Sequence, residues 1–258
     1  MINIENSSPE KVQEKIAAMR EGGKILGGLL RDLKTYVKPG MTGREIDAWV
    51  RAEIVKRGAE VAYDMLDDEF PGAICISVND ELVHGAPRDE VLNAGDKVSF
   101  DLDIFYKGYF TDSAFTMLVG DTGSPAVKKM ISVTESSMWE GIEQVKPGAR
   151  IGDIAAAVEK VLRRGHLGVI EDYVGHGIDT EMHSEPDVPN YGRKGHGYKL
   201  VEGDTICIEP MSCLGKPANY VDKDDNWTVK MKDGSIGCHC EHTVLVLPDG
   251  YEVLTLPK

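Results

Sequence analysis

The chain has 258 residues, of which 41% are apolar, and this is enough material to bury a full hydrophobic core. Its 43 acidic side chains outnumber its 29 basic ones, and a net charge of −14 argues against a basic surface for nucleic acid. No stretch has the apolar length of a membrane span, and the polar first residues show no secretory signal. These features predict a cytoplasmic protein without a membrane or nucleic-acid partner, and we expect a monomer.

Helix-start signals predict four helices in two pairs. Ser8-Pro9 and Ser124-Pro125 each combine a capping serine with a proline at the first helical position. The first of these helices continues to the stop at Pro39-Gly40, and the capping box Thr42-x-x-Glu45 then opens the second. The fourth helix is predicted over Ile151–Arg164.

Strand-like runs follow each pair of helices. They are Ala73–Val78, Lys97–Tyr106 and Tyr109–Val119 in the first half, and Gly168–Val174, Asp204–Met211, Trp227–Lys232 and Cys238–Leu247 in the second. The turn at Lys107-Gly108 joins two of them as a hairpin. Two helices followed by antiparallel strands, twice over, predict an α+β fold with helices flanking antiparallel sheet.

The two halves share a sequence pattern at a constant shift of 108 residues. Lys38-Pro39-Gly40 falls on Lys146-Pro147-Gly148, and at the same shift Asp101 falls on Glu209. Because both acids follow apolar strand-like runs, two related halves would bring them towards one pseudo-twofold centre. The pattern predicts a single domain of two halves, at about residues 9–122 and 123–258.

Four carboxylates mark the expected functional centre. Asp101 and Asp112 lie on the two arms of the hairpin, Glu209 lies at a strand end, and Glu241 lies within the last strand. Several ionised carboxylates cannot share a water-poor centre unless a cation neutralises them. His176, between two glycines, adds an imidazole, and such a donor set suits Mn²⁺, Fe²⁺, Co²⁺ or Zn²⁺. Four carboxylates suit two ions with shared ligands, so the sequence predicts two divalent cations.

The five cysteines form no disulfide framework. Cys238-x-Cys240 lies beside His239 and His242, but no second cysteine pair completes a four-ligand zinc set. We therefore expect reduced thiols in the core. His239 is expected to be an ordinary polar residue.

Taken together, the motifs resemble those of the metal-dependent methionine aminopeptidases over nearly the whole chain. The matching segments are Ser77–Asp80, His84-Gly85, the Asp101/Asp112 pair, Gly175–Ile178, His183-x-Glu185-Pro186, Ile208–Met211 and Glu241–Thr243. The resemblance implies the duplicated pita-bread fold. It also implies removal of the N-terminal methionine from nascent proteins and peptides whose second residue is small.

By position, the resemblance implies five metal ligands, which are Asp101, Asp112, His176, Glu209 and Glu241. Asp112 and Glu241 would bridge the two ions. Asp101 would bind the second ion, and His176 with Glu209 the first. A water or hydroxide between the ions would be the nucleophile, and Glu209 would accept its proton.

Two further histidines would act on the substrate. The resemblance implies that His84 and His183 do not bind metal but orient the first peptide bond and stabilise the oxyanion. The free amino group of the substrate would bind the second ion, so that cleavage removes one residue only. The expected partners are nascent polypeptide N-termini, with the ribosome as a further candidate.

The pocket for the methionine side chain is expected to combine soft and apolar groups, which are Phe70, Cys75, Met182 and Trp227. The chain departs from the family pattern here, because Asp67 stands where an aromatic residue is common and Met182 where phenylalanine is common. The other departures are Asp179 in place of a frequent glycine and His239 in place of a frequent glutamine.

Three alternative classes of protein would have the same fold but a different sequence pattern. Proline-specific peptidases share the fold and the metal set but usually carry an extra N-terminal domain, for which there is no room before the first helix. Type II methionine enzymes carry a helical insert, and the 32 residues from Glu209 to Glu241 leave no space for one, so the type I form is favoured. A non-catalytic binding protein on the same fold would have lost ligands, and none is lost.

Overall fold

The computed structural model describes residues 8–66 and 70–257. Its four α-helices are α1 (Pro9–Tyr36), α2 (Gly43–Lys56), α3 (Pro125–Ile142) and α4 (Ile151–Arg164). The strands of the first half are β1 (Glu60–Val61), β2 (Cys75–Val78), β3 (Glu81–Val83), β4 (Lys97–Tyr106) and β5 (Tyr109–Leu118). Those of the second half are β6 (Gly168–Val169), β7 (Gly175–Gly177), β8 (Ser184–Val188), β9 (Thr205–Ile208), β10 (Met211–Cys213), β11 (Asn219–Val221), β12 (Val229–Met231), β13 (Gly237–His239), β14 (His242–Leu247) and β15 (Gly250–Val253).

The four predicted helices are confirmed, and their first turns carry the expected caps. The Ser8 hydroxyl accepts a hydrogen bond from the backbone N–H of Lys11, and Thr42 forms a complete capping box with Glu45. Glycine inside α1 allows close packing, because a side chain at Gly23 would collide with the backbone of Leu254. The helix can therefore lie directly against the C-terminal segment. None of these helices, within the described residues, is long and apolar enough to cross a membrane.

Two helix-covered sheets form the body of the protein. The predicted hairpin is present as the ten-residue strands β4 and β5, and β4 also pairs with β1 and β2. The second large sheet has the order β15-β14-β9-β7-β8, and all its strand pairs are antiparallel. Residues of α1 and α2 share a core with β2 and β4, and residues of α3 and α4 share another with β9 and β14. The expected α+β class with helices flanking antiparallel sheet is confirmed.

Two predicted strands are interrupted at Glu209 and at Glu241. The run Asp204–Met211 breaks at Glu209-Pro210, between β9 and β10. The run Cys238–Leu247 also breaks, so the expectation that Glu241 lies within a strand is wrong. The break occurs because β13 pairs with β10 whereas β14 pairs with β9, so that the chain changes sheets at Glu241. Each glutamate therefore lies where the regular ladder stops.

The stability of the fold should depend on the protonation of His242. Its Nδ1 lies 2.9 Å from Thr255 Oγ1 and 3.2 Å from Ser113 Oγ, and burial lowers its pKa from 6.5 to about 4. In this pH range the unfolded chain binds a proton and the native state does not. The contribution of His242 to the free energy of unfolding should therefore be largest above pH 6.5 and fall by roughly 3 kcal/mol as the pH drops to 4.

Urea unfolding at pH 7, 5.5 and about 4, for the wild type and for His242→Asn, measures this contribution. Asparagine keeps a polar group near the two hydroxyls but does not titrate. We expect the variant to lose less stability on acidification than the wild type. Equal losses in the two proteins would contradict the prediction.

Candidate metal centre

Hydrogen bonds join the hairpin strand β5 to the junction between β13 and β14. Glu241 N–H donates to the carbonyl of Ala114 at 2.9 Å, and Ala114 N–H donates back to Glu241 at 3.3 Å. The Thr243 hydroxyl donates to the Asp112 carbonyl at 2.7 Å and accepts from Asp112 N–H at 3.0 Å. The backbones that carry Asp112 and Glu241 are thus fixed to each other, although the residues are 129 positions apart.

Three overlapping groups of potential ligands surround this junction, and within each group the ligand atoms lie within 4.8 Å of one another. The groups are Asp112, His176, Cys207 and Glu241; Glu209, His239 and Glu241; and Asp101, Asp103 and Asp112. All five residues expected as ligands from the sequence belong to these groups. Asp112 and Glu241 each belong to two of them.

The donor set fits a divalent cation on two grounds. Glu241 and Asp112 are 1% and 4% exposed, and in the part of the chain that the structure describes each has one carboxylate oxygen without a hydrogen-bond donor. Asp101 Oδ1 also lacks a donor there. Buried acceptors in this state are costly unless a cation satisfies them.

The pKa shifts of these carboxylates are the second reason that the cluster fits a divalent cation. Burial, followed by the neighbouring carboxylates, raises the pKa of Asp101, Asp112 and Glu241 well above the usual range, and burial raises the pKa of Glu209. A bound cation would reverse this preference because it stabilises the ionised carboxylate. The cluster is therefore poised to exchange protons for metal.

His176 has the tautomer that metal binding requires. Its Nδ1 lies 3.1 Å from the Gly177 carbonyl, which can only accept, so Nδ1 carries the proton and Nε2 keeps its lone pair. Nε2 lies 3.5 Å from Glu209 Oε1 and 3.8 Å from Asp112 Oδ2. Burial, and then the nearby His183, lowers the pKa of His176 to about 3, so the imidazole is neutral.

His183 lies beside the cluster and His84 lies near it. The ring of His183 meets that of His176 edge-on at 4.4 Å between centroids, and its side chain is exposed to an incoming molecule. His84 has a left-handed backbone with φ of 57°, held where Gly85 N–H donates to Ser77 Oγ at 3.1 Å. Burial, and then His239 and His183, lowers the pKa of His84 to about 4.

Three of the four residues expected to form the side-chain pocket pack near one another. Phe70 and Cys75 belong to one buried cluster, and the Trp227 ring meets Phe70 edge-on at 5.5 Å. Tyr63 was not predicted from the sequence, and it packs against the same cluster. Its ring lies 4.5 Å from Phe70, and its hydroxyl lies 3.3 Å from Cys75 Sγ.

Met182 belongs to a different cluster from Phe70 and Cys75, and Tyr63 packs against both clusters. It packs with Phe110 and Ile178, and it lines a cavity of about 420 Å³ with Phe105 and His183. Asp67, whose effect on the pocket was a separate expectation, lies outside the described residues.

Two buried residues at the centre were not expected from the sequence. Asp103 is 3% exposed and lies directly opposite Asp112 in the hairpin ladder. His239 is 2% exposed, and neither of its ring nitrogens has a hydrogen-bond partner among the described residues, so its interpretation as an ordinary polar residue is wrong. For Asp103 the signal was available, because Asp101 and Asp103 both lie in β4 and alternate residues of a strand share a face. Two further departures from the family pattern, Met182 and Asp179, are also buried.

Fold and donor set together define a metallopeptidase. Residues 17–248 match the model of metallopeptidase family M24, and the chain belongs to that family. The solved methionine aminopeptidase of Rickettsia prowazekii superposes with a TM-score of 0.90 at 36% identity, covering 96% of this chain and 98% of the other. The prolidase of Pyrococcus furiosus superposes with a TM-score of 0.75 at 22% identity, covering 95% of this chain but 65% of its own, and shares the fold.

Within the family, relatives that match this chain almost end to end in sequence are methionine aminopeptidases. The methionine aminopeptidase of Clostridium perfringens is 41% identical over 250 residues, covering 96% of this chain and 98% of its own. Methionine aminopeptidase 1 of Bacillus subtilis is 38% identical over 246 residues, covering 95% and 98%. The resemblance read from the motifs is thereby confirmed.

Proposed function

We propose that this chain is a metal-dependent aminopeptidase that removes the N-terminal methionine from nascent chains and peptides with a small second residue. The observation that carries the proposal is the buried carboxylate–imidazole cluster with His84 and His183 beside it. The relatives that match nearly end to end, and are named methionine aminopeptidases, support it. Because its proposed substrates are nascent N-termini, we propose that the protein acts in the cytoplasm.

The ligand set of the proposal is that of two divalent ions, drawn from Mn, Fe, Co and Zn. Asp112 and Glu241 would be shared between the ions, which their membership of two ligand groups each supports. Asp101 would bind one ion, and His176 with Glu209 would bind the other. When bound, such ions lower the pKa of water and polarise the scissile carbonyl.

Glu209 is the residue that moves the proton. Burial raises its pKa, and a bound cation would lower it again, so the carboxylate could both accept a proton and give it up. It follows β9 directly and its carbonyl accepts a hydrogen bond from the Asn190 side chain at 3.1 Å, so its backbone is fixed. A base held in this way can take a proton from the nucleophile and return it to the leaving amine.

The two histidines outside the ligand set bind the reacting peptide bond. His183 is exposed at the edge of the cluster, where a substrate carbonyl can reach it. The pKa of His84, lowered to about 4, leaves it a neutral imidazole at physiological pH, which can donate one hydrogen bond and accept another. Neutral donors aimed at developing negative charge stabilise the transition state.

The pocket formed by Tyr63, Phe70, Cys75 and Trp227 should favour methionine with modest selectivity over leucine. These groups are aromatic or soft and match an unbranched thioether. A methylene-scale difference in such a slot is worth only about 1–3 kcal/mol, or roughly 10–200-fold in kcat/KM. Tripeptides beginning with Met, Leu and Lys, each with Ala second, measure this ratio. Turnover of the Lys peptide equal to that of the Met peptide would contradict the assignment.

Metal analysis with a small substrate panel tests the proposed function. We expect the purified protein, after metal loading, to release methionine from Met-Ala-Ser and to leave Ala-Pro intact. Chelation should abolish the activity, and a divalent ion should restore it. Cleavage of Ala-Pro in preference to Met-Ala-Ser would favour a proline-specific peptidase, and absence of any hydrolysis by metal-loaded protein would favour a binding protein.

A further inference from the structure

The carboxylate of Glu209 lies between two imidazoles. Its Oε1 is 3.5 Å from Nε2 of His176, and its Oε2 is 3.3 Å from Nε2 of His239. Nε2 of His239 is also 3.9 Å from Glu241 Oε2. His176 is the one histidine in the ligand set that the family resemblance implies.

The ring of His239 is buried without a hydrogen bond. It is 2% exposed, and neither Nδ1 nor Nε2 has a hydrogen-bond partner in the described part of the chain. The 3.3 Å approach to Glu209 Oε2 therefore lacks the direction of a hydrogen bond. A buried polar group left in this state costs free energy unless something else satisfies it.

These separations are those of atoms that share one cation. Ligands at about 2.0–2.2 Å from one ion lie roughly 3–4 Å from each other, and the distances of 3.3 and 3.9 Å from His239 Nε2 fall in that range. Glu209, His239 and Glu241 also form one of the three groups of potential ligands.

The backbone of His239 is held in place. Its carbonyl accepts a hydrogen bond from the Thr116 hydroxyl at 2.5 Å, and its N–H donates to the same oxygen at 3.3 Å. Thr116 belongs to β5, the strand that also carries Asp112. The hairpin thus sets the position of His239 relative to the other ligands.

We propose that His239 is a sixth metal ligand, which binds a cation together with Glu209 and Glu241. The inference rests on the proposed metal centre and adds a second imidazole to it. Nitrogen donors favour Fe, Co and Zn over Mn, so His239 should shift the metal preference of the centre in that direction.

Cobalt binding to metal-free protein tests this assignment directly. The chain is stripped with a chelator and titrated with Co²⁺ by calorimetry, and the number of imidazoles per metal at one equivalent is read by X-ray absorption. For His239→Gln, we expect the count to fall from two to one and the affinity for one Co²⁺ to fall by more than about 100-fold, beyond the loss typical of an outer partner. His239→Ala gives the same readout without a new polar group.

Two further variants separate the possible failures. His176→Gln should also lose one imidazole, whereas His242→Gln removes a histidine on the neighbouring strand that bonds to Thr255 and should leave cobalt binding unchanged. An unchanged imidazole count in His239→Gln overturns the inference, whatever the affinity. If the wild type binds no cobalt, or if His176→Gln also keeps its full imidazole count, the proposed metal centre itself fails.

Discussion

Glu241→Ala is expected to abolish peptide hydrolysis and to remove most of the bound metal. Glu241 is 1% exposed, belongs to two of the three ligand groups, and lies where the chain crosses between sheets. In the proposed two-ion centre, loss of a shared carboxylate would affect both ions at once. Metal content by elemental analysis and hydrolysis of Met-Ala-Ser measure the two effects.

The same substitution should remove the stabilisation that metal gives to the fold. Metal binds the native state only, so adding it to the wild type should raise the thermal midpoint, whereas Glu241→Ala should show little change. Glu140→Ala, on the exposed face of α3, is the matched control and should behave as the wild type does. Full activity of Glu241→Ala, or of the metal-free enzyme, would contradict the shared-ligand role.

His183→Ala should lower kcat on the order of 10²-fold and leave KM and metal content nearly unchanged. The ring lies at the edge of the cluster, 4.4 Å from that of His176, but belongs to none of the three ligand groups. A donor that acts on the oxyanion contributes mainly in the transition state, and its loss therefore appears in kcat.

A neighbouring variant controls for disturbance of the loop. Glu181→Ala changes an exposed side chain two residues away and should keep normal kcat. If His183→Ala loses metal while retaining its kcat at saturating metal, His183 is a ligand and the proposed division of roles is wrong.

The parts of the centre that the sequence predicted are those set by local geometry. Asp101 and Asp112 could be placed together because a short turn fixes the register of β4 against β5. Glu209 followed from its match to Asp101 in the repeat. Glu241 was predicted as a ligand from the motifs, but its position at a change of sheets depends on long-range pairing with Ala114, which no local pattern shows.

The side-chain pocket was less predictable for the same reason. Tyr63 reaches Cys75 and Phe70 only after the segment that follows α2 folds onto β2. Composition alone could not show that Met182 packs with Phe110 instead. Contacts between distant segments decide which apolar residues share a cluster.

The buried pair of Lys15 and Asp179 constrains how this chain can change. The Lys15 ammonium lies 3.3 Å from the Asp179 carboxylate, across 164 residues of sequence, and also donates to the Gly203 carbonyl. Loss of one partner of such a pair costs about 3–5 kcal/mol, whereas replacing both is often neutral. No single substitution therefore leads safely from Asp179 to the glycine that the family often has there. In descendants of this chain, Lys15 and Asp179 should therefore change together. The residue at position 15 in α1 should then indicate whether position 179, three residues after His176, is acidic.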